Sequence, residues 1–388
     1  MGMFKNDLRI KSMNRGIRLA IMVSILLFTT ALGFAHINLK QNVPLSVDAL
    51  CPFGAIESAY TLIFTGAMLN RLAASSFILL IAVLLTAILF RRSFCGMICP
   101  LGTLQELFAN LGKRIFGRQL TVPPAVDRLA RLIKYLALFL IVLFTAISGE
   151  LVIRPYDPWV AYHHLTSADL LTEFKIGFIV LLFTLIGSLL YNRVFCKYLC
   201  PMGAFLAPFG KLGWYGINRD RSTCLDCKSC NNACPVQIDV AGSTRINDTE
   251  CINCNECVNV CPAGNTLSIR GPQKNIAVLP GRLVLTAVPI IFILILSVTT
   301  LSGNFQWKNP SLKATVEATG KFDPALIKGR MTLQEVVDVS GIPAIAFEEK
   351  LKIEKADFNV PIKDIAGKYG FSETEDVRTF VREYLERR

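Results

Sequence analysis

Five long apolar stretches constrain this chain more than any other feature, because none carries a charge in its interior. A transmembrane helix needs about 20 apolar residues, and these stretches approach or exceed that length: 17–37, 72–90, 132–149, 176–191 and 283–303. A shorter stretch, 55–69, contains Glu57, so we interpret it as interfacial or re-entrant. With 52% hydrophobic and 18% charged residues, the composition excludes a disordered chain and disfavours a wholly soluble one.

The formal net charge of +12 is distributed unequally along the chain. If the N-terminal side of the first helix is taken as inside, segments 1–18, 91–134 and 192–282 are the inner ones. These segments hold 23 basic and 9 acidic residues, whereas the outer loops hold 4 and 6 and the tail, 304–388, holds 14 of each. Basic residues concentrate in cytoplasmic loops. We therefore expect a multi-pass protein of the cytoplasmic (inner) membrane with a cytoplasmic N-terminus, an extracytoplasmic tail and no nucleic-acid partner.

Eight of the thirteen cysteines form one pattern twice. Segments 224–235 and 251–262 both read C-x2-C-x2-C-x3-C-P, which is the pattern of bacterial two-cluster ferredoxins, in which the fourth cysteine binds the other cluster. Zinc sites usually use two separated cysteine pairs, and disulfides are disfavoured in a cytoplasmic segment. The sequence therefore predicts two [4Fe–4S] clusters, the first bound by Cys224, Cys227, Cys230 and Cys261 and the second by Cys251, Cys254, Cys257 and Cys234.

Four further cysteines form a second repeat, FCxxxCPxG, at an offset of 101 residues. They are Cys95, Cys99, Cys196 and Cys200. Cysteines at i and i+4 share one helix face, and proline after the second cysteine suits the start of a new helix. The repeat predicts two related helix pairs that bring four thiols together at the cytoplasmic membrane edge as a candidate third metal or iron–sulfur centre. The alternative is free cysteine used as a small apolar residue.

Cys51 begins a partial copy of this motif, CPFG, on the predicted outer side. It is a weak candidate metal ligand, and packing is the alternative interpretation.

The first four stretches, the paired FCxxxCP motifs and the ferredoxin segment together resemble the membrane polyferredoxins typified by NapH and by the membrane half of NosR. The resemblance covers roughly residues 15–300. It implies FCxxxCP motifs at the cytoplasmic face and electron transfer between the quinone pool and a redox partner protein. Two departures from the family are expected: no flavin-binding domain like that of full-length NosR, and a tail that the short members lack.

One loop on the predicted outer side carries acid–base groups. Asp157, His163 and His164 lie together there, and a carboxylate or imidazole can accept a proton from a quinol. The same loop contains Trp159 and Tyr162, which membrane interfaces favour. We therefore consider both a quinol site and an interfacial anchor.

The tail differs in composition, since its charges are dense and balanced. Segments 329–342 and 359–371 align at an offset of 29, and both read as a helix that ends at glycine and is followed by a second amphipathic helix. This pattern predicts an all-helical module for structure or partner docking. DNA binding is disfavoured because the tail is neutral.

The sequence thus predicts a mainly α-helical membrane protein with two related helix pairs plus one more helix, a small α+β two-cluster ferredoxin insert and a helical C-terminal module. The predicted domains are 1–221, 222–268, 269–303 and 304–388. The leading function is an electron-transfer subunit of a quinol-linked oxidoreductase system rather than a stand-alone enzyme. The alternatives are an assembly or metal-handling accessory and a redox-sensing regulator.

Overall fold

The computed structural model describes most of the chain. The described residues are 2–38, 52–65, 74–148, 151–167, 170–264, 266–271, 278–305, 311–319, 322–327, 329, 331–371 and 373–386. The chain divides into two compact units, Met1–Trp307 and Lys308–Arg388, and each has its own apolar core.

The first unit is built from helices and one small sheet. Its helices are α1 (Gly2–Asn38), α2 (Pro52–Thr65), α3 (Ala74–Phe90), α4 (Ser93–Met97), α5 (Pro100–Phe116), α6 (Pro124–Ala130), α7 (Ile133–Ser148), α8 (Pro158–His163), α9 (Lys175–Leu190), α10 (Val194–Tyr198), α11 (Pro201–Leu212), α12 (Ser229–Asn232), α13 (Glu256–Val260) and α14 (Gly281–Leu301). Its two strands are β1 (Gly216–Arg219) and β2 (Leu267–Arg270), which pair antiparallel with Gly216 opposite Arg270.

Three helical segments are long and apolar enough to cross a membrane: Met13–Ala35, Pro124–Ser148 and Gly281–Leu301. Two apolar helices, Ser75–Phe90 and Lys175–Leu190, are shorter than the roughly 20 residues that a membrane span needs. These five segments fall on the five predicted apolar stretches. Their length and composition indicate a membrane protein, while the number of helices that cross stays a prediction.

Helix α2 contains the short apolar stretch that we interpreted as interfacial or re-entrant. It packs against α3 and α7, and Glu57 lies fully buried within it. The Thr145 hydroxyl of α7 donates to Glu57 Oε1 at 2.8 Å. The helix therefore has a carboxylate inside the apolar core, where a hydrogen-bond donor offsets part of the cost of burial.

The cysteine-rich segment folds as two related loops beside the β1–β2 ribbon. The first loop leads into α12 and the second into α13. Apolar side chains of both loops form one core, which includes Val236, Ile238, Val240 and Ile252. This segment also contacts α1, since Lys11 Nζ donates to the Cys261 carbonyl at 2.9 Å and Arg15 pairs with Glu256 at 3.3 Å.

The second unit is mainly helical among its described residues, with one isolated β-bridge between Thr332 and Pro361. Its helices are α15 (Leu312–Thr319), α16 (Leu333–Ser340), α17 (Ala344–Leu351), α18 (Ile362–Tyr369) and α19 (Glu373–Glu386). Helices α16 and α18 end at Gly341 and Gly370, both in the left-handed conformation with φ of 69° and 70°, which glycine adopts without steric cost. The predicted glycine caps at an offset of 29 residues are therefore present.

Candidate iron–sulfur centres

The first ferredoxin cavity is surrounded by four cysteines from both loops. They are Cys224, Cys227, Cys230 and Cys261. Cys227 is exposed, and the other three are partly exposed. Arg219 Nη1 donates to Cys224 Sγ at 3.2 Å, so a cation already faces this sulfur. The structure thus groups the four cysteines that the sequence assigns to one cluster.

The second cavity is surrounded by the other four ferredoxin cysteines and by apolar side chains. The cysteines are Cys234, Cys251, Cys254 and Cys257. The last three are buried, and burial raises the pKa of the Cys251 thiol to about 11 and that of Cys254 to about 12. Thiols in such surroundings lose their protons only to a strong local positive charge, which bound iron provides.

Both loops place non-glycine residues in the left-handed conformation at equivalent positions. Asp226 and Lys228 have φ of 47° and 56°, and Asn253 and Asn255, which lie one 27-residue repeat later, have φ of 49° and 63°. This conformation is uncommon outside glycine, although Asn and Asp tolerate it. Alternation of conformation along a loop turns successive N–H groups to one side, as in many iron–sulfur sites. This backbone strain lies between the cysteines of each loop, where the binding of a ligand would offset its energetic cost.

The FCxxxCP motifs do not form a continuous helix, which corrects the prediction that Cys95 and Cys99 share one helix face. Helix α4 ends at Met97, and Cys99, with φ of −57° and ψ of 114°, caps α5. The second copy repeats this geometry, with Cys200 as the cap of α11. The reason is the proline after each second cysteine, which disfavours helical ψ in the residue before it. Each motif therefore presents one thiol from a short helix and the other from the start of the next helix.

The four thiols of the FCxxxCP motifs nonetheless share one buried region: Cys95, Cys99 and Cys200 pack against one apolar core, and Cys196 interacts electrostatically with Cys99 and Cys200. Burial, followed by the neighbouring Cys196 and Cys95 thiols, raises the pKa of Cys99 to about 12. The same causes, with Cys99 added, raise the pKa of Cys200 well above its ordinary value. Hydrogen-bond donors already face these sulfurs: Gln105 Nε2 lies 3.1 Å from Cys196 Sγ, and the Gly203 N–H lies 3.3 Å from Cys200 Sγ.

The FCxxxCP set adjoins the second ferredoxin cavity. Cys95 packs against the ferredoxin core. A Cβ placed on Gly96 would lie 2.5 Å from the Ile252 carbonyl and 3.3 Å from Cys254 Cβ, so only glycine permits this approach. The first ferredoxin cavity, the second cavity and the FCxxxCP set are therefore arranged as a contiguous series.

Two buried arginines escaped the sequence analysis. Arg92 and Arg193 each stand three residues before the first cysteine of an FCxxxCP motif, and both are buried beside these thiols. Arg193 pairs with Glu106 at 2.7 Å and Arg92 with Glu250 at 3.4 Å. The signal that could have revealed them is their common 101-residue offset, which extends the repeat to RxFCxxxCPxG.

None of the twelve described cysteines forms a disulfide. Among the described side chains, no group of three or more His, Cys, Asp or Glu is spaced to hold a single metal ion. Cys51, the weak candidate ligand, lies outside the described residues.

The candidate quinol residues make separate packing contacts. The carboxylate of Asp157 caps α8 by accepting from the Trp159 N–H at 2.8 Å. His163 is buried against the Trp159 ring, with ring centroids 4.5 Å apart. His164 instead packs on Phe174, with centroids 4.2 Å apart. The aromatic side chains around both histidines fit an interfacial anchor as well as a ring-binding site.

Comparison with known proteins follows the same division of the chain. A family model described as a 4Fe-4S binding domain matches residues 72–119 and 175–220, which contain the two FCxxxCP motifs. A model described as a 4Fe-4S dicluster domain matches residues 216–273. No solved structure matches the chain.

Several curated proteins are similar to the chain. YccM of Escherichia coli is 30% identical over 245 residues, which cover 60% of this chain and 66% of YccM. The ferredoxin-type protein NapH of Haemophilus influenzae is 31% identical over 159 residues, or 40% of this chain and 51% of NapH. The regulatory protein NosR of Stutzerimonas stutzeri is 32% identical over 149 residues, or 38% of this chain and 20% of NosR.

The chain thus spans just under two thirds of YccM, half of NapH and a fifth of NosR. Both family models match the region of this chain that contains the cysteine motifs. The chain belongs to the NapH/NosR-type 4Fe-4S polyferredoxins, which are ferredoxin-type electron-transport proteins.

Proposed function

We propose that this protein carries electrons between the quinone pool and a redox partner protein through three iron–sulfur centres. The observation that carries the proposal is the contiguous series of three four-cysteine sets. The second cavity shares its apolar core with the first ferredoxin loop and contacts the FCxxxCP motif at Cys95 and Gly96. Electron transfer over a series of centres needs such contiguity.

The residues of the two ferredoxin cavities fit [4Fe–4S] clusters. Each cavity has four thiols as donors, three from one loop and one from the other, as the doubled motif requires. When bound, such clusters supply one-electron transfer at a potential that net charge, hydrogen bonds to sulfur and solvent exposure set. The chain contributes a cation at Cys224 and an apolar wall around the second set.

The FCxxxCP set fits a third iron–sulfur centre. Cys95, Cys99, Cys196 and Cys200 supply four soft thiol ligands, the donors that iron–sulfur clusters use. Gln105 and the Gly203 N–H already direct donors at two of the sulfurs, and hydrogen bonds of this kind tune such centres. The match of both motifs to a 4Fe-4S binding domain supports this assignment.

We place the N-terminus and the ferredoxin segment in the cytoplasm and the tail on the far side of the cytoplasmic membrane. The excess of basic residues in the inner segments supports this orientation. The partner protein would then meet the first ferredoxin cavity, since Cys227 is the exposed cysteine of that set.

The quinone proposal rests on the α8 loop. His164 is the residue to test, because it is partly exposed whereas His163 is buried between Trp159 and α1. We expect His164→Ala to slow reduction of the clusters by quinol while iron content is unchanged. An unaltered rate, in parallel with normal reduction by dithionite, would exclude His164 from this role.

The function is tested by iron and sulfide analysis with redox-titrated EPR on the anaerobically purified full chain. We expect about twelve irons, four for each [4Fe–4S] cluster, and a loss of about four in Cys95→Ala or Cys196→Ala. Cys51→Ala tests the remaining cysteine, and an unchanged iron content would exclude Cys51 as a ligand. A wild-type content of about eight irons would reject the third centre, and a content below about four would reject the ferredoxin assignment.

A redox-linked regulator is the alternative that one observation favours, since Lys308–Arg388 forms a separate compact unit. Deletion of residues 308–388 should leave quinol-driven cluster reduction intact if the tail only docks a partner or transmits a signal. Loss of reduction would instead make the tail part of the electron-transfer machinery.

A further inference from the structure

Arg92 and Arg193 occupy equivalent positions in the two halves of the repeat and are inaccessible to solvent. Their exposed fractions are 2% and 0%. A buried guanidinium is expensive unless it is paired and hydrogen-bonded. Two such residues at the same repeat position, beside the same four thiols, therefore point to a shared role.

Each arginine reaches across to the opposite half of the repeat. A Cβ on Gly102, in the first CPxG, would lie 2.9 Å from Arg193 Nη1, and a Cβ on Gly203, in the second CPxG, would lie 2.9 Å from Arg92 Nη2. The glycine of each motif therefore makes room for the guanidinium of the other. This reciprocal contact explains why the repeat contains glycine two residues after proline.

The contacts of Arg193 bind the second motif to the first. Its Nη1 donates to the Cys95 carbonyl at 2.6 Å, and its Nη2 donates to Glu106 Oε2 at 2.7 Å. Arg193 also lies close enough to the Cys196 thiol to interact with it electrostatically. Arg193 thus contacts the backbone of Cys95 and interacts electrostatically with the thiol of Cys196.

The contacts of Arg92 bind the first motif to the second ferredoxin loop. Its Nη1 donates to the Thr249 carbonyl at 2.6 Å and lies 3.4 Å from Glu250. The Cys95 and Cys200 thiols are its sulfur neighbours. Arg92 therefore lies where the FCxxxCP set adjoins the residues just before Cys251.

Other charged groups pack around the two arginines and contribute to the net charge near the four thiols. Glu106 is shared between Arg193 and Arg18, and Arg18 also pairs with Glu256 at 2.9 Å. Glu250 is shared between Arg92 and Lys134. These seven groups are four cations and three carboxylates, so together they carry a net positive charge.

We propose that Arg92 and Arg193 are positioning residues that hold the two FCxxxCP motifs together and raise the reduction potential of the centre that the four cysteines bind. This inference rests on the third centre proposed above. Reduction of such a centre adds one electron, and therefore one negative charge, with no bond formed or broken. Arginine stays protonated, so its charge favours the reduced state without uptake of a proton.

The test compares midpoint potentials in full-length, anaerobically purified protein. The relevant EPR signal is the one that Cys95→Ala abolishes. We expect Arg193→Gln and Arg92→Gln each to lower the midpoint potential of the centre that gives this signal. The oxidised-to-reduced equilibrium should shift at least tenfold toward the oxidised form, which is about 59 mV for a one-electron couple. Arg193→Lys and Arg92→Lys keep the charge and should retain most of the wild-type potential.

Two further variants separate charge from mere packing. Glu106→Gln retains an oxygen acceptor for Arg193 but removes a negative charge, so the potential should rise. Arg245→Gln is the matched control, because Arg245 also donates to two backbone carbonyls, those of Gly271 and Trp214. Its removal should leave the signal unchanged.

The outcomes distinguish this inference from the proposed function. A wild-type protein without the Cys95-dependent signal overturns both. A wild-type signal whose potential is the same in both glutamine variants overturns the role of the arginines alone. If the glutamine variants lose the centre, the midpoint potential of Glu106→Gln is the deciding measurement. A rise supports the inference, and a potential that does not rise overturns it.

Discussion

Arg18 of α1 donates to both carboxylate oxygens of Glu106 of α5, at 2.7 and 2.8 Å, and both side chains are buried. Glu106 also accepts from Arg193 at 2.7 Å. Burial by itself would raise the pKa of Glu106, but the two arginines lower it to about 2. This carboxylate therefore joins the first helix, the first FCxxxCP motif and the second motif.

Removal of the Glu106 carboxylate should destabilise the first unit strongly. Glu106→Ala leaves two buried guanidinium groups without this partner, and breaking a buried ion pair costs about 3–5 kcal/mol. We expect a marked fall in Tm of the detergent-solubilised protein, and a smaller fall for Glu106→Gln, which keeps an acceptor. The matched control is Glu173→Ala, whose exposed pair with Arg154 at 3.7 Å should contribute about 0–1 kcal/mol. Equal effects of the two alanine variants would contradict the prediction.

The contribution of Glu106 should depend on pH with a definite sign. Its native pKa of about 2 lies below the ordinary unfolded value of about 4.3. The stabilisation is therefore fully present above the unfolded pKa and is lost as the pH falls toward the native one. We expect the Tm difference between wild type and Glu106→Gln to be constant near neutral pH and to shrink below about pH 4. A difference that grew on acidification would refute this.

The crossing of α5 and α9 should not tolerate a side chain at Gly112. A Cβ there would overlap the Leu189 carbonyl, a backbone group that can move only with its helix. Overpacking typically costs about 1–3 kcal/mol, so Gly112→Ala should lower the Tm and separate the two helices. Gly16→Ala is the matched control, since nothing lies within 4 Å of its Cβ position, and it should be neutral or stabilising.

The two ferredoxin sites should differ in their access to reagents. Cys227 of the first set is exposed, whereas Cys251, Cys254 and Cys257 of the second set are buried. An iron chelator or oxygen should therefore remove the EPR signal that Cys227→Ser abolishes several-fold faster than the signal that Cys254→Ser abolishes. Loss of both signals at one rate would show that burial does not protect the second site.

Local spacing made much of the candidate site predictable. Three cysteines of each ferredoxin loop lie within seven residues, so the sequence itself brings them together. The fourth cysteine follows from the doubled motif, and the structure groups Cys261 with the first set and Cys234 with the second. Apolar stretches of sufficient length likewise predicted helices where α1, α3, α7, α9 and α14 occur.

Backbone detail was less predictable where two local preferences compete. The i,i+4 spacing of Cys95 and Cys99 favours one helix, but Pro100 prevents the residue before it from adopting helical ψ. The helix therefore breaks, and Cys99 caps α5. The left-handed conformation of four loop residues also escaped prediction: Asp226, Lys228, Asn253 and Asn255. Asn and Asp tolerate this conformation without requiring it, and lysine has no preference for it, so the path of the whole loop decides it.

By itself, the sequence determined which cysteines belong to which motif and which segments are apolar, because both depend on residues near each other in the chain. Only the tertiary structure decided which charges face the FCxxxCP thiols. Arg193 meets Cys95 and Glu106 across 98 and 87 residues, and Arg18 meets Glu106 across 88. Such pairs form because burial requires each charge to find a partner, and which partner lies within reach depends on how the helices pack.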